Sequence, residues 1–341
     1  MIQINKIRSC FTVRNVLLFE RGIGIAGLAI ACWMVYRLGP SRIAAHLHLI
    51  SWGFFILAGL KALEFFLEAF AWKLIADETD HKISFGKAFL YTLEGNSLNY
   101  ITLTHMGGEG LKALAFRESI GLPKSAAAAI VLKFCAILGF WLVMSGGFIL
   151  ALFSKDLSVK VKVYFGLGIA LVTAIILSVS WMQKVGIFRP LAWFLEKLKT
   201  PVEWLNEHVL KLTQLDEHIL KTYRSRPWRV SAAVLLCSFV WVEEIFSIWL
   251  GLRFLGLAES GFTVIIAGTF SFLLTRFLFF VPWRAGIQEG TLVLAFTLLG
   301  LSEPVGLSIA ILKRLRELLW VFLGLSAFAV ETLKSPDINN V

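Results

Sequence analysis

Charge is scarce in this sequence. Only 16% of its 341 residues are Asp, Glu, Lys or Arg, where a soluble domain carries about 25%, and 57% are hydrophobic. An ordinary soluble enzyme is therefore excluded. Cysteine is sparse too: Cys10, Cys32, Cys135 and Cys237 stand singly and never form CxxC. They read as small hydrophobes in helices and exclude a secreted disulfide domain. The six histidines show no metal spacing, and His46 and His48, two apart, fall on different faces of a helix. No nucleotide-binding motif is visible. The stretches between apolar runs are short, the longest being 183–228, below the roughly 55 residues of even a marginal domain. No metal, no cofactor and no nucleic-acid partner are expected, and no enzyme activity.

What the chain does have is long apolar runs, at 16–36, 49–76, 84–105, 124–153, 161–182, 229–256, 262–281, 286–301 and 304–331. A span needs about 20 mostly apolar residues, so most of these qualify. The expected fold is all-α, a polytopic transmembrane helical bundle of about 7–8 spans, and a β-barrel is excluded. The first run follows basic residues, as a signal peptide would, but with so many further spans it reads as an uncleaved helix. Tryptophans near run ends (Trp33, Trp52, Trp72, Trp181, Trp228) fit an interfacial belt.

Segment 183–228 carries eight Lys/Arg against five acids, which places it in the cytoplasm, as short positive loops are. Its apolar residues, from Leu191 to Ile219, recur mostly every three or four positions. Two readings fit: amphipathic helices lying on the inner leaflet, or a helical hairpin packed on the bundle. Lys6, Arg8, Arg14 and Arg21 put the N-terminus inside as well. An even number of crossings must then separate the two, so run 84–105 is expected to be re-entrant. Lys155, Lys160 and Lys162, in a loop then placed outside, run against this assignment.

The chain also resembles itself. Residues 109–122 read EGLKALAFRESIGL and 289–301 read EGTLVLAFTLLGL, matching at Glu109/Glu289, Gly110/Gly290, Leu114/Leu294, Ala115/Ala295, Phe116/Phe296, Gly121/Gly300 and Leu122/Leu301. At the same 180-residue offset Leu132-Lys133 recurs as Leu312-Lys313. With re-entrant segments at 84–105 and 262–281, an odd number of crossings separates the copies and they are inverted, an architecture used by transporters. The expected organisation is one integral membrane domain over 1–341, with copy 1 at about 49–153, the cytoplasmic connector 183–228, and copy 2 at about 229–331.

A charge at membrane depth costs about 3 kcal/mol or more, so each needs a partner or a polar path. Glu109 and Glu289 sit beside glycines and serve either as helix caps or as lining of a polar cavity. Arg276 and Arg284 either pair with Glu289 or grip a phosphate, for which a guanidinium is shaped. Arg314 and Glu317 are placed to pair at i, i+3, as are Lys61, Glu64 and Glu68 on one helix face. Lys133 lies deep in its run, and Glu243 and Glu244 lie mid-run. Asn96 and Asn99 are suited to the open backbone groups of a broken helix.

At these residues a family comes into view. NSLNYITLTHMGGEG, from Asn96 to Gly110 and followed by Gly121, and PWRAGIQEG, from Pro282 to Gly290 and followed by Gly300 and Lys313-Arg314, together resemble the lysylphosphatidylglycerol synthase transmembrane-region family over roughly 15–332. The resemblance implies a flippase-like lipid-translocation domain of about eight helices with two re-entrant hairpins. It assigns candidate roles to Asn96, Glu109, Pro282, Glu289 and Arg314. Some members carry a soluble aminoacyltransferase domain, which this chain lacks, so synthase activity is not implied. Thr104-His105-Met106 stands where the family usually has a proline ahead of Gly-Glu, and Trp283-Arg284-Ala285 where it has consecutive glycines, so the cargo is not fixed by the likeness. The expected function is movement of an anionic or amphiphilic lipid between leaflets of the cytoplasmic membrane, along a path including Glu109, Glu289, Arg276 and Arg284. The rival expectation is a non-transporting accessory that recruits a lipid-biosynthesis enzyme through 183–228.

Overall fold

A computed structural model describes residues 36, 50–77, 83–101, 107–155, 157–186, 203–278 and 286–334. The helices in chain order are α1 (Gly53–Ala76), α2 (Phe85–Ile101), α3 (Gly107–Ala115), α4 (Arg117–Ile120), α5 (Leu122–Phe153), α6 (Val159–Val185), α7 (Glu203–Ser225), α8 (Pro227–Phe254), α9 (Gly261–Phe277), α10 (Ile287–Leu298) and α11 (Glu303–Lys334). No strand occurs among the described residues. The fold is all-α and polytopic, as expected; the first apolar run lies outside the described residues apart from Tyr36.

Local chemistry sets the helix boundaries. Ser158 and Ser260 cap α6 and α9 by accepting from the amides of Val161 (3.4 Å) and Thr263 (3.1 Å). The repeat-matched glycines Gly121 and Gly300 have φ of +82° and +79°, a backbone that L side chains rarely adopt. Each ends a hairpin and redirects the chain into a 32-residue helix.

Among the described residues α5, α6 and α8 are long and apolar enough to cross a membrane, while α9 and α10 are apolar but shorter. The outward stripe of α6, including Val163, Leu167, Leu171, Ile175 and Trp181, is exposed. Such a patch is what a lipid-facing helix presents. Helices α1 and α11 have the length to span but carry charged residues, which turn inward (below). At 17 residues each, α2 and α9 fall short of the about 20 a span needs. Both double back on a short helix, α3 or α10.

The repeat extends to the helices. Shifted by 180 residues, α1, α2, α3 and α5 fall on α8, α9, α10 and α11 to within a few residues, and the 17-residue and 32-residue lengths recur. The related helices α1 and α8 pack antiparallel. Gly53 at the start of α1 meets the ring of Phe254 at the end of α8, Lys61 reaches Glu244, and Arg229 near the start of α8 donates to the carbonyl of Asp77 at 2.7 Å. The copies therefore run in opposite directions. They also interlock. Hairpin helix α2 lies along α11, with Ser97 against Gly324, and α9 lies along α5, where a Cβ on Gly147 would sit 2.1 Å from the Thr269 hydroxyl. This arrangement predicts that Leu122→Cys and Ser302→Cys, matched positions opening α5 and α11, react with a membrane-impermeant thiol reagent from opposite sides. Labelling of both from one side contradicts it.

Two expectations change. Trp72 is only 1% exposed, with its ring 4.6 Å from that of Phe116, so it is core and not belt. Trp52, Trp181 and Trp228 are exposed near helix ends, as belt residues are; Trp33 lies outside the described residues. Of the two readings of 183–228, the described part takes the packed one. Helix α7 seats Ile219, with Leu215 and Tyr223, against the bundle, and the Tyr223 hydroxyl donates to Gln183 at 2.9 Å. Residues 187–202 lie outside the described part.

Candidate substrate path

Polar residues gather at each hairpin and where α1, α8 and α11 cross. The first hairpin closes because neither Gly95 nor Gly108 has a side chain: a Cβ on Gly108 would lie 1.7 Å from the Gly95 carbonyl oxygen. That contact sets the first turn of α3 against α2. The Gly108 amide, which has no partner within its own helix, donates to Asn99 Oδ1 at 2.8 Å. Asn99 Nδ2 reaches Glu109 at 3.3 Å. Glu109 then pairs with Lys112 at 3.5 Å and, across to α5, with Lys133 at 3.4 Å. Lys112 donates to Asn96 Oδ1 at 3.1 Å, and the Asn96 amide donates to Glu68 of α1.

The second hairpin is built alike. Thr291 of α10 meets Ser271 and Thr275 of α9 at 3.2 and 2.8 Å. Glu289 takes a two-pronged grip from Arg314 of α11, at 2.8 Å from Nε and 3.2 Å from Nη2. The remaining Arg314 arm donates to the Tyr100 hydroxyl at 2.5 Å, so a residue of the first hairpin closes the site of the second. Gln288 donates to Glu317 at 3.0 Å. In both copies, then, a carboxylate in the first turn of the returning helix binds a cation on the following long helix. Lys133 matches Lys313, next to Arg314. Glu109 and Glu289 both stand in the first turn of their helices, where a carboxylate also meets the positive end of the helix dipole, and the Gly108 amide of α3 is held by Asn99.

At the crossing, Lys61 binds Glu64 (2.5 Å) and Glu244 (2.9 Å), and Arg316 binds Glu243 (3.1 Å) and Glu244 (2.8 Å). Lys313 binds Glu244 and reaches Glu317 at 2.9 Å. Carboxylate oxygens of Glu64, Glu243 and Glu244 converge within 4.8 Å of one another. Three cations stand among the three acids, so the cluster balances as an ion-pair lattice. Glu317 links it to Arg314 at 4.0 Å.

Of the residues expected at the site, the structure therefore joins Asn96, Glu109 and Lys133 in one group and Glu289 and Arg314 in another. Arg276 is exposed and lies over the rings of Phe140 and Trp241, 5.4 and 5.0 Å from their centroids. Phe140 is two turns along α5 from Lys133. Pro282 and Arg284 lie outside the described residues. Sequence reasoning passed over Lys112, Tyr100 and Gln288. Lys112 had a signal, its i+3 spacing from Glu109 on a short helix, whereas Tyr100 and Gln288 had none. The two sites differ in one respect: the Lys133 side chain is 41% exposed and that of Arg314 is 2%.

A family model, the lysylphosphatidylglycerol synthase TM region, matches residues 21–325. The chain belongs to this family. No curated protein and no solved structure matches it. Membership and the apolar helices make it a membrane protein of a family connected with lysylphosphatidylglycerol. The matched span takes in both hairpins, the connector and most of α11.

Proposed function

We propose that the protein is a flippase- or scramblase-like transporter that moves an anionic or amphiphilic lipid between the leaflets of the cytoplasmic membrane, with no chemical step of its own. One observation carries the reading. Two oppositely directed hairpins hold equivalent carboxylate–cation pairs, Glu109–Lys133 and Glu289–Arg314; the first is partly open and the second is closed over by Tyr100. Such a pair gives a headgroup phosphate a place to exchange into. Glu109 releases Lys133, the phosphate takes its position, and the neighbouring Arg276 adds a second cation suited to phosphate. The acyl tails stay in the bilayer. Because each cation passes from carboxylate to phosphate and back, none is left alone at membrane depth, where it would cost about 3 kcal/mol or more. Opposite direction of the copies lets the second site repeat the step towards the other leaflet.

The positive connector and N-terminus orient the protein with both inside. Reconstituted into liposomes, the full chain is expected to move fluorescent phosphatidylglycerol across the bilayer faster than protein-free liposomes do, and faster than it moves a neutral lipid. If neither lipid moves above the protein-free rate, the transport reading fails and the accessory reading, with a lipid-biosynthesis enzyme bound at the connector, takes its place.

A further inference from the structure

Glu94 of α2 stands apart from the ion-pair groups described above. It is 2% exposed, yet among the described residues no cation pairs with it and its Oε1 has no hydrogen-bond partner. What it meets is another acid, Glu331 of α11, within hydrogen-bonding reach. Two ionised carboxylates cannot bond to each other, since both only accept. We propose that Glu94 and Glu331 bind one proton between them, and that this proton clasps the hairpin of copy 1 to the long helix of copy 2. The proposal does not rest on the transport reading, which concerns Glu109, Glu289 and their cations.

The packing of α2 on α11 places the pair. Tyr91, Glu94 and Ser97 recur every three positions and share one side of α2. On either side of Glu94 that row touches α11. The Tyr91 hydroxyl donates to Glu331 at 3.4 Å, and the Ser97 hydroxyl lies 3.4 Å from the Trp320 carbonyl oxygen. A Cβ on Gly324 would sit 2.1 Å from the same Ser97 hydroxyl, so glycine is what lets the helices come this close. Glu331 itself is exposed and exchanges protons with water. Charges on the helices packed against α2 are engaged elsewhere: Glu68 of α1 accepts from Asn96, Lys112 of α3 binds Asn96 and Glu109, and Arg314 of α11 binds Glu289 and Tyr100. Lys87, on α2, is exposed and two turns away from Glu94.

Burial disfavours charge on Glu94, and a facing carboxylate disfavours it further. A proton on Glu94 removes both costs, and its O–H donates to the Glu331 carboxylate in a charge-assisted bond. Without the proton two carboxylates oppose each other and push α2 from α11. Tyr100, which closes the Arg314 site, stands on the same helix, so the clasp and that closure share one element.

The test is infrared difference spectroscopy on the full-length protein in phosphatidylcholine nanodiscs at neutral pH. Wild type minus Glu94→Gln is expected to show a protonated-carboxyl C=O band that moves to lower wavenumber in D2O. Glutamine matches the neutral acid in size and charge, so this variant is expected to fold. Glu331→Lys is expected to lose the same band although Glu94 is still present, because a cation replaces the acceptor and Glu94 ionises. Position 331 is exposed, so that variant carries the comparison should Glu94→Gln not fold. As alkali titrates the band away, wild type is expected to lose melting temperature and Glu94→Gln to lose less. The sign follows because a neutral buried carboxyl becomes a stranded carboxylate only in wild type, so its stability falls as pH rises. Absence of the band, a band unchanged by Glu331→Lys, or equal alkaline destabilisation of wild type and Glu94→Gln overturns the proposal.

Discussion

Alanine at position 108 is expected to deprive the protein of its fold, while alanine at position 110, one turn face away, leaves it intact. The Cβ of Gly108→Ala would lie 1.7, 2.4 and 2.8 Å from the O, C and Cα of Gly95. All three are backbone atoms, so no side-chain rotation relieves the overlap, and the legs of the first hairpin must part by more than an ångström. Parting them breaks the Gly108–Asn99 bond (2.8 Å) and the Lys112–Asn96 bond (3.1 Å). It also strips the buried Lys112, 3% exposed, of its bond to the facing helix and leaves it only the 3.5 Å pair with Glu109 on its own helix. Overpacking alone costs about 1–3 kcal/mol where side chains can adjust; here the backbone and a buried charge add to it. Gly110 has nothing within 4 Å of its added Cβ, so its alanine variant gains about 0.5–1 kcal/mol from helix propensity. Melting temperature and the yield of monodisperse protein in detergent separate the two variants. A Gly108→Ala protein as stable as Gly110→Ala would contradict the hairpin crossing.

The second large effect is at Arg316. This side chain is buried, with bonds to Glu243 at 3.1 Å and Glu244 at 2.8 Å. Glu244 keeps Lys61 and Lys313 if Arg316 is lost. Glu243 keeps no ion-pair partner among the described residues, and its Oε2 already lacks a hydrogen bond there. Arg316→Met therefore strands a buried carboxylate, at a cost of about 3–5 kcal/mol. In a chain of 341 residues that corresponds to a melting-temperature drop of roughly 4–7 °C. Adding Glu243→Met removes the stranded charge, and most of the stability is expected to return, since a buried pair replaced as a whole by apolar residues is often neutral. A double variant no better than the single one would contradict the assigned pairing.

Much of this arrangement was legible in the chain. The Glu-Gly starts at 109 and 289 and the glycines at 121 and 300 located both hairpins and the long helices after them, because a left-handed turn and a first-turn carboxylate need particular residues. The offset of Lys133 and Lys313 pointed to the cation on the long helix, although in copy 2 the neighbouring Arg314 holds Glu289. Trp72 was misplaced because proximity to a run end says nothing of which side of the helix faces protein. Tyr100 was invisible for a related reason. Its bond to Arg314 spans 214 positions and arises from the interlocking of one copy's hairpin with the other copy's long helix, which no local spacing encodes. Arg276 was read as a partner for Glu289 or a phosphate; its ring contact with Phe140 comes from packing between copies and that with Trp241 from packing within copy 2.

The account's central claim is that a lipid headgroup passes by way of Glu109 and Glu289. The most direct measurement compares phosphatidylglycerol translocation in proteoliposomes by wild type and by Glu109→Gln/Glu289→Gln, with equal protein incorporation. Glutamine keeps the size and much of the hydrogen bonding but not the charge that Lys133 and Arg314 exchange for a phosphate. The account predicts a translocation rate at the protein-free level for the double variant, with its melting temperature still measurable and cooperative. Translocation by that variant at the wild-type rate would contradict it, and would reduce both carboxylates to partners that only hold the hairpins in place.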